Sequence, residues 1–236
     1  MKRTQVINAL IQKHRYKDYL EIGTYNPKLN FDLIMAPHKV SVEPYPIPGS
    51  TVSFVGTSDE YFNSINDTVK FDVVFIDGLH LQEQLTLDIQ NSLMHLNENG
   101  IIVCHDCLPT TEEMQTRYDS GKEWTGDVWK SIAKLRVEAT HLEVRVVDTD
   151  CGCALIRFGK NVSFRSNGED YLTYDYYNRH KAQLMNVTTI YNFWKVYLHA
   201  DMKLFFRLRI HRIVLSAIKN KLLGLIWVKA RNSLSR

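Results

Sequence analysis

The segment Phe71-Asp72-Val73-Val74-Phe75-Ile76-Asp77-Gly78-Leu79-His80 decides the fold. Its apolar, β-branched and aromatic run is the length of one strand, and Asp77-Gly78 stops it as a turn would. Downstream, Leu85, Ile89, Leu93 and Leu96 fall on one helical face, closed by Asn99-Gly100. Ile101–Cys104 reads as a further buried strand, ending at His105-Asp106. Upstream, Thr4–His14 reads as a helix, Tyr19–Ile22 as a strand ended by Gly23, and Leu29–Met35 as a second helix. Lys39–Val42 and Val52–Val55 read as strands on either side of a loop marked by Pro44, Pro46, Pro48 and Gly49. Asp59–Ile65 follows as a short helix. Beyond the long loop Leu108–Gly126, Asp127 is placed to cap a helix Val128–Arg136. Leu142–Val147 and Cys153–Phe158 are spaced for a hairpin. Strands alternating with helices imply an α/β, Rossmann-like architecture: seven strands, mostly parallel, with a terminal antiparallel hairpin.

Composition bounds the rest. The chain has 236 residues, 44% of them hydrophobic and 23% charged, enough for one sizeable core. It holds no run of 18 apolar residues and no apolar leader after Met1-Lys2-Arg3, so the expected location is the cytoplasm. Cys104-x-x-Cys107 and Cys151-x-Cys153 are spaced poorly for a zinc site and read as reduced thiols. The net charge of +3 conceals a division: residues 1–159 carry 15 Lys+Arg against 22 Asp+Glu, and residues 160–236 carry 14 against 4. This asymmetry suggests two parts, a catalytic domain 1–159 and a basic, aromatic-rich helical extension 160–236.

In doubly wound sheets ligands bind outside the carboxyl ends of the strands, so the residues just past each strand are the candidates. They are Glu21-x-Gly23, Glu43, Asp77-Gly78 with His80, and His105-Asp106. Glu43 lies 20 residues after Gly23, a spacing that suits a carboxylate bonding a ribose diol. After Gly23 come Thr24, Tyr25, Asn26 and Pro27, with no further glycine to cradle a pyrophosphate. That counts against a nicotinamide dinucleotide.

Glu21-Ile22-Gly23-Thr24-Tyr25 resembles the first motif of class I S-adenosylmethionine-dependent methyltransferases. Phe71–His80 and Gly100–Asp106, with Ser58-Asp59-Glu60 and Gly126–Lys130, resemble the methyltransferase-24 family, which includes macrocin O-methyltransferase. The resemblance covers about residues 15–158. It implies S-adenosyl-L-methionine as cofactor, bound by Glu21, Gly23, Tyr25, Glu43, Ser58, Asp59 and Asp77. Relatives that methylate sugar hydroxyls hold magnesium with acids after strands four and five, which carries a divalent metal onto Asp77, His105 and Asp106. His105 departs from the usual acid and shifts the expectation toward manganese or another imidazole-tolerant ion. The catalytic candidates are Asp77, His80 and His105, either imidazole serving as proton acceptor.

The implied activity is O-methylation of a sugar hydroxyl on a glycan or glycosylated metabolite. A non-sugar small molecule remains an alternative acceptor, and a non-catalytic binding protein on the same fold an alternative function. Pro109, Glu112, Glu113, Arg117, Tyr118 and Trp124 make the long loop a candidate lid over a sugar. From Lys203 to Arg236 there are nine Lys/Arg, no acid, and an apolar set including Leu222, Leu223, Ile226 and Trp227. Such a segment suits peripheral contact with the inner face of a membrane, or a homo-oligomer interface, and contains no nucleic-acid module.

Overall fold

A computed structural model describes residues 1–119 and 121–197. The chain opens with α1 (Arg3–His14) and β1 (Asp18–Ile22), then β2 (His38–Glu43), β3 (Phe54–Val55), α2 (Ser58–Ser64) and β4 (Phe71–Ile76). It continues with α3 (Gln82–Met94), β5 (Leu96–Cys104), α4 (Trp129–Glu138), β6 (Leu142–Val147) and β7 (Cys153–Phe158). The last elements are α5 (Tyr174–Leu184), β8 (Val187–Thr188) and α6 (Ile190–Tyr197). One sheet of eight strands runs in the order β3-β2-β1-β4-β5-β7-β6-β8. β3 through β5 pair in parallel, whereas β7 is antiparallel to both β5 and β6. The central strands read as continuous apolar runs because helices cover both faces of the sheet. Val73 and Val74 of β4, and Ile102 and Val103 of β5, are wholly buried.

The eighth strand and α5 come from the segment that charge alone assigned to the extension. β8 pairs in parallel with β6 (Val146 with Val187), and the ring of Tyr177 of α5 packs tilted against the buried Trp129, with centroids 4.4 Å apart. The compact unit therefore runs from Met1 to Phe193, past the charge break near 159. Lysines and arginines set that break, nine of the fourteen from 203 onward, and net charge says little about which apolar residues join a core. The basic segment 203–236, with its membrane and oligomer expectations, lies outside the described residues.

Local differences have local causes. The helix expected at 29–35 is two 3₁₀ turns, Pro27–Leu29 and Phe31–Leu33. Asn30 between them turns its amide inward to bond Tyr19 and Glu21. The strand expected at 52–55 is only Phe54–Val55, because the Ser41 and Ser53 hydroxyls bond each other's backbone N–H where a ladder would otherwise run. Leu96, placed on the helix by its spacing, begins β5 opposite Phe71, and a bulge brings Ile101 opposite Val73. Asp127 does not cap α4. Its carboxylate accepts from Gln82 N at 2.8 Å and so caps α3 across the fold.

At the carboxyl edge β1 and β4 come together too closely for a side chain. Gly23 has φ +89°, and a Cβ there would lie 2.2 Å from the Asp77 carbonyl oxygen. Gly23→Ala should therefore cost about 2–4 kcal/mol of stability with no ligand present. Thermal denaturation of the unliganded variant checks this; an unchanged Tm would mean that the contact can relax.

Candidate functional site

Two clefts open at this edge and share Gly23, Tyr25 and Asp77. The first, about 420 Å³, lies over β2 and β4 and is bounded by Glu43, Tyr45, Ser58, Asp59, Leu79 and Asp88. The second, about 340 Å³, is bounded by Arg3, Glu21, Asn30, His80, His105 and Asp106. Together they take in every site residue named from the sequence. The first has the size and apolar walls of a small-molecule pocket. The second is lined by charged and amide side chains together with Leu29 and Phe75.

In the first cleft Glu43 is 8% exposed, and its Oε1 accepts from Tyr45 N at 2.9 Å. That bond fixes the carboxylate at the strand end. Tyr45 and Leu79 are exposed apolar walls, 80% and 58% respectively. Ser58 turns inward, donating to Asp88 Oδ1 at 2.6 Å. Tyr25, at 60% exposure, stands where the two clefts join.

The second cleft holds a charge network. His105 Nδ1 lies 3.2 Å from Asp77 Oδ1 and 3.1 Å from Asp106 Oδ1, while its Nε2 lies 3.4 Å from Asp150 Oδ2. His80 Nε2 is 3.5 Å from both Asp77 and Asp106. Burial alone would lower the pKa of each imidazole, yet the facing carboxylates outweigh it and raise both. Asp77, which burial would push up, is held well below the usual carboxylate range by His105 and His80. Asp150 is likewise depressed, first through its bond to His105. Arg3 closes the network from α1: its backbone N donates to Asp150 at 2.9 Å, its Nη1 lies 3.3 Å from the same oxygen, and its Nε lies 3.7 Å from Asp77.

Arg3 and Asp150 were not among the sequence candidates. Asp150 reads as an ordinary hairpin turn residue, and Arg3 as a solvated charge near the start of the chain. The strand-end rule would have found Asp150 had it been applied to β6, which runs parallel to β5 and delivers its turn to the same edge. The backbone marks the site as well: Asp106, Asp150 and Cys151 have φ of 59°, 49° and 58°, uncommon for residues with a Cβ.

Of the lid candidates, Trp124 reaches the site, its ring 4.8 Å from that of His80 and its Nε1 donating to Thr116 O at 2.6 Å. Arg117 instead bonds Glu83 and Asp127 and ties the loop to α3. Tyr118 is 70% exposed. The cysteines are free: Cys107 donates to the His105 carbonyl at 3.2 Å, and burial raises the pKa of all four thiols.

Glu21 is 2% exposed and accepts from Tyr19 Oη at 2.5 Å and Asn30 Nδ2 at 2.6 Å. Burial outweighs those bonds and raises its pKa to about 7. An acid with a raised folded-state pKa binds its proton more tightly when folded. Stability therefore falls as pH rises from the unfolded value near 4.5 through about 7. Glu21→Gln should flatten this slope, which is worth at most about 3 kcal/mol. Melting of both proteins at pH 5 and 8 checks it: the variant should gain on the wild type at pH 8, and a constant difference would contradict the assignment.

Residues 39–107 match a methyltransferase domain family, methyltransferase-24. No curated protein matches the chain. Among solved structures, the O-methyltransferase TomG from Streptomyces achromogenes, involved in tomaymycin synthesis and bound to S-adenosylmethionine, is 14% identical with a TM-score of 0.50. That match covers 66% of this chain and 79% of TomG. A Klebsiella pneumoniae protein assigned as an O-methyltransferase is 16% identical with a TM-score of 0.50, covering 66% and 80%. The sheet order with its antiparallel β7 gives the chain the fold of these O-methyltransferase structures, and the segment lying across β2 to β5 is similar to the methyltransferase-24 domain.

Proposed function

We propose that the protein transfers the S-adenosylmethionine methyl group to a hydroxyl oxygen, most naturally that of a sugar. The observation that carries this reading is the junction of the two clefts at Asp77. A cofactor seated in the first would present its sulfonium to an acceptor in the second, beside His80. The sulfonium methyl is already activated. The protein has to align the oxygen in line with it and remove the hydroxyl proton.

Glu43 is placed to bond the ribose diol through the oxygen that Tyr45 leaves free. In its neutral form His80 Nε2 would accept the acceptor's proton, its basicity raised by Asp77 and Asp106, which stabilise the imidazolium that forms. The ring of Trp124 packs against His80 and limits its swing. Arg3, Asn30, Glu21 and Asp106 offer donors and acceptors on several sides, which suits a hydroxyl-rich acceptor better than a flat apolar one.

We extend the reading to a divalent ion, for which the carboxylates and imidazoles present are a chemically suitable donor set. Asp77 Oδ1, Asp106 Oδ1 and His105 Nδ1 would hold it. Asp150 faces the other ring nitrogen, an arrangement that leaves Nδ1 as the ligating atom. Asp77, His80 and Asp106 also present atoms within 4.8 Å of one another, and this second set would be able to hold an ion. When bound, such an ion lowers the pKa of the acceptor hydroxyl and orients a vicinal diol. A mixed nitrogen and oxygen set favours manganese over magnesium.

Transfer of labelled methyl from S-adenosylmethionine to a panel of sugar and phenolic acceptors tests the reading, with label expected in a sugar. On the acceptor found, His80→Ala should cut turnover by about 10²–10⁴-fold and leave S-adenosylhomocysteine affinity within about threefold. Equal loss of both would remove His80 from the role. Chelation should suppress turnover and manganese should restore it; unchanged turnover would exclude the ion.

No helix among the described residues is long and apolar enough to cross a membrane. For residues 203–236 we keep the peripheral membrane reading as a proposal on charge and apolar content alone. Unchanged binding to anionic liposomes after deletion of 203–236 would remove it.

A further inference from the structure

No hydrogen bond of ordinary length fixes the ring of His80. Its Nε2 stands 3.5 Å from Asp77 and from Asp106, and its Nδ1 is sealed from solvent without a partner. The orientation of the imidazole therefore rests on packing, which the long loop after β5 supplies. Trp124 lays its ring 4.8 Å from the imidazole, at 32° to it. Gly126 approaches the His80 backbone so closely that a Cβ there would fall 1.9 Å from the His80 carbonyl oxygen.

The loop must itself be held. Thr125 N and Gly126 N donate to Met114 O and fix its stem. Trp124 Nε1 donates to Thr116 O at 2.6 Å, so the indole follows residue 116. The next residue, Arg117, donates from Nη1 to Asp127 Oδ2 at 2.9 Å and to Glu83 Oε2 at 3.1 Å. The two acids differ in worth: the Glu83 side chain is 60% exposed, where water competes for the pair, whereas that of Asp127 is 2% exposed. Lys130 Nζ, at 3.6 Å, is too far from Asp127 for a hydrogen bond, which leaves that bond to Arg117. The other oxygen of Asp127 accepts from Gln82 N at 2.8 Å, two residues from His80. The contacts close a circuit from His80 through Trp124, Thr116, Arg117 and Asp127 back to Gln82.

We propose that Arg117 is a positioning residue for the methyl transfer: paired with Asp127, it holds Thr116 and Trp124 so that the His80 imidazole keeps the orientation it presents to the acceptor. The inference rests on His80 serving as the proton acceptor. Reaction rate falls steeply as a reacting group leaves its geometry, so a ring released from the indole loses rate while cofactor affinity is kept.

The His80 ring signals in a proton–carbon spectrum, assigned by their absence in His80→Ala, read the contact directly. The indole shields them in the wild type, so Arg117→Gln should move them downfield while those of His95, stacked on Phe62, stay in place. On the acceptor found with labelled methyl, Arg117→Gln should lower kcat about 10–100-fold and leave S-adenosylhomocysteine affinity unchanged. Arg117→Lys keeps a cation beside Asp127 without the paired bonds and should fall between the two in both readouts. Two results overturn the proposal: His80 signals that stay in place in an Arg117→Gln protein shown folded by its melting curve, or signals that move while kcat does not. If His80→Ala keeps wild-type turnover, the base reading fails and this inference falls with it. Loss of turnover in His80→Ala with none in Arg117→Gln defeats the inference alone.

Discussion

The close approach of β1 and β4 at their carboxyl ends is the constraint on which the site depends. Gly23 lies against the Asp77 carbonyl at a distance that excludes any Cβ. Without that approach Asp77 would not sit at the boundary of both clefts, and the proposed cofactor and acceptor ends of the site would not meet. The single glycine of the first motif is thus demanded by the protein's own backbone before any ligand is considered. The proposed cofactor, S-adenosylmethionine, carries no phosphate to be cradled, so its binding would not forbid Thr24, Tyr25 and Asn26 after that glycine.

Around Asp77 the chain gathers charges that would be costly one at a time. Asp77, Asp106 and Asp150 face His80, His105 and Arg3, drawn from the ends of β4, β5 and β6 and from the start of α1. The carboxylates lower the cost of burying His105, while His105 and His80 hold Asp77 ionised and His105 does the same for Asp150. Strain collects in the same place: Asp106 and Asp150 adopt left-handed backbone to bring their side chains in. A site made this way is preorganised, since its charges are oriented before substrate arrives.

Much of this was legible in the sequence because strands buried on both faces leave little ambiguity. Phe71–Ile76 occupies the span read for it, and reading past strand ends placed Glu43, Asp77, His80, His105 and Asp106 around the two clefts. What escaped depends on contacts distant in sequence. Asp127 resembles a local cap and serves α3 instead; Arg3 and Asp150 meet across 147 residues. Leu96 is buried as a strand residue exactly where a helix face would also bury it, so its burial could not distinguish the two. Residues 160–193 went to the extension by charge, whereas Tyr177 and Thr188 join the sheet unit through apolar packing and backbone pairing that net charge does not report.

The central claim is that S-adenosylmethionine lies across these strand ends with its ribose on Glu43. Calorimetry of S-adenosylmethionine binding to the wild type and to Glu43→Ala, each with and without manganese, tests it most directly. The account requires binding in the micromolar range by the wild type and a loss of at least about 30-fold in the variant, the worth of hydrogen bonds to one carboxylate. Wild-type protein that binds no S-adenosylmethionine under either condition, or a variant that binds as tightly as the wild type, would contradict it.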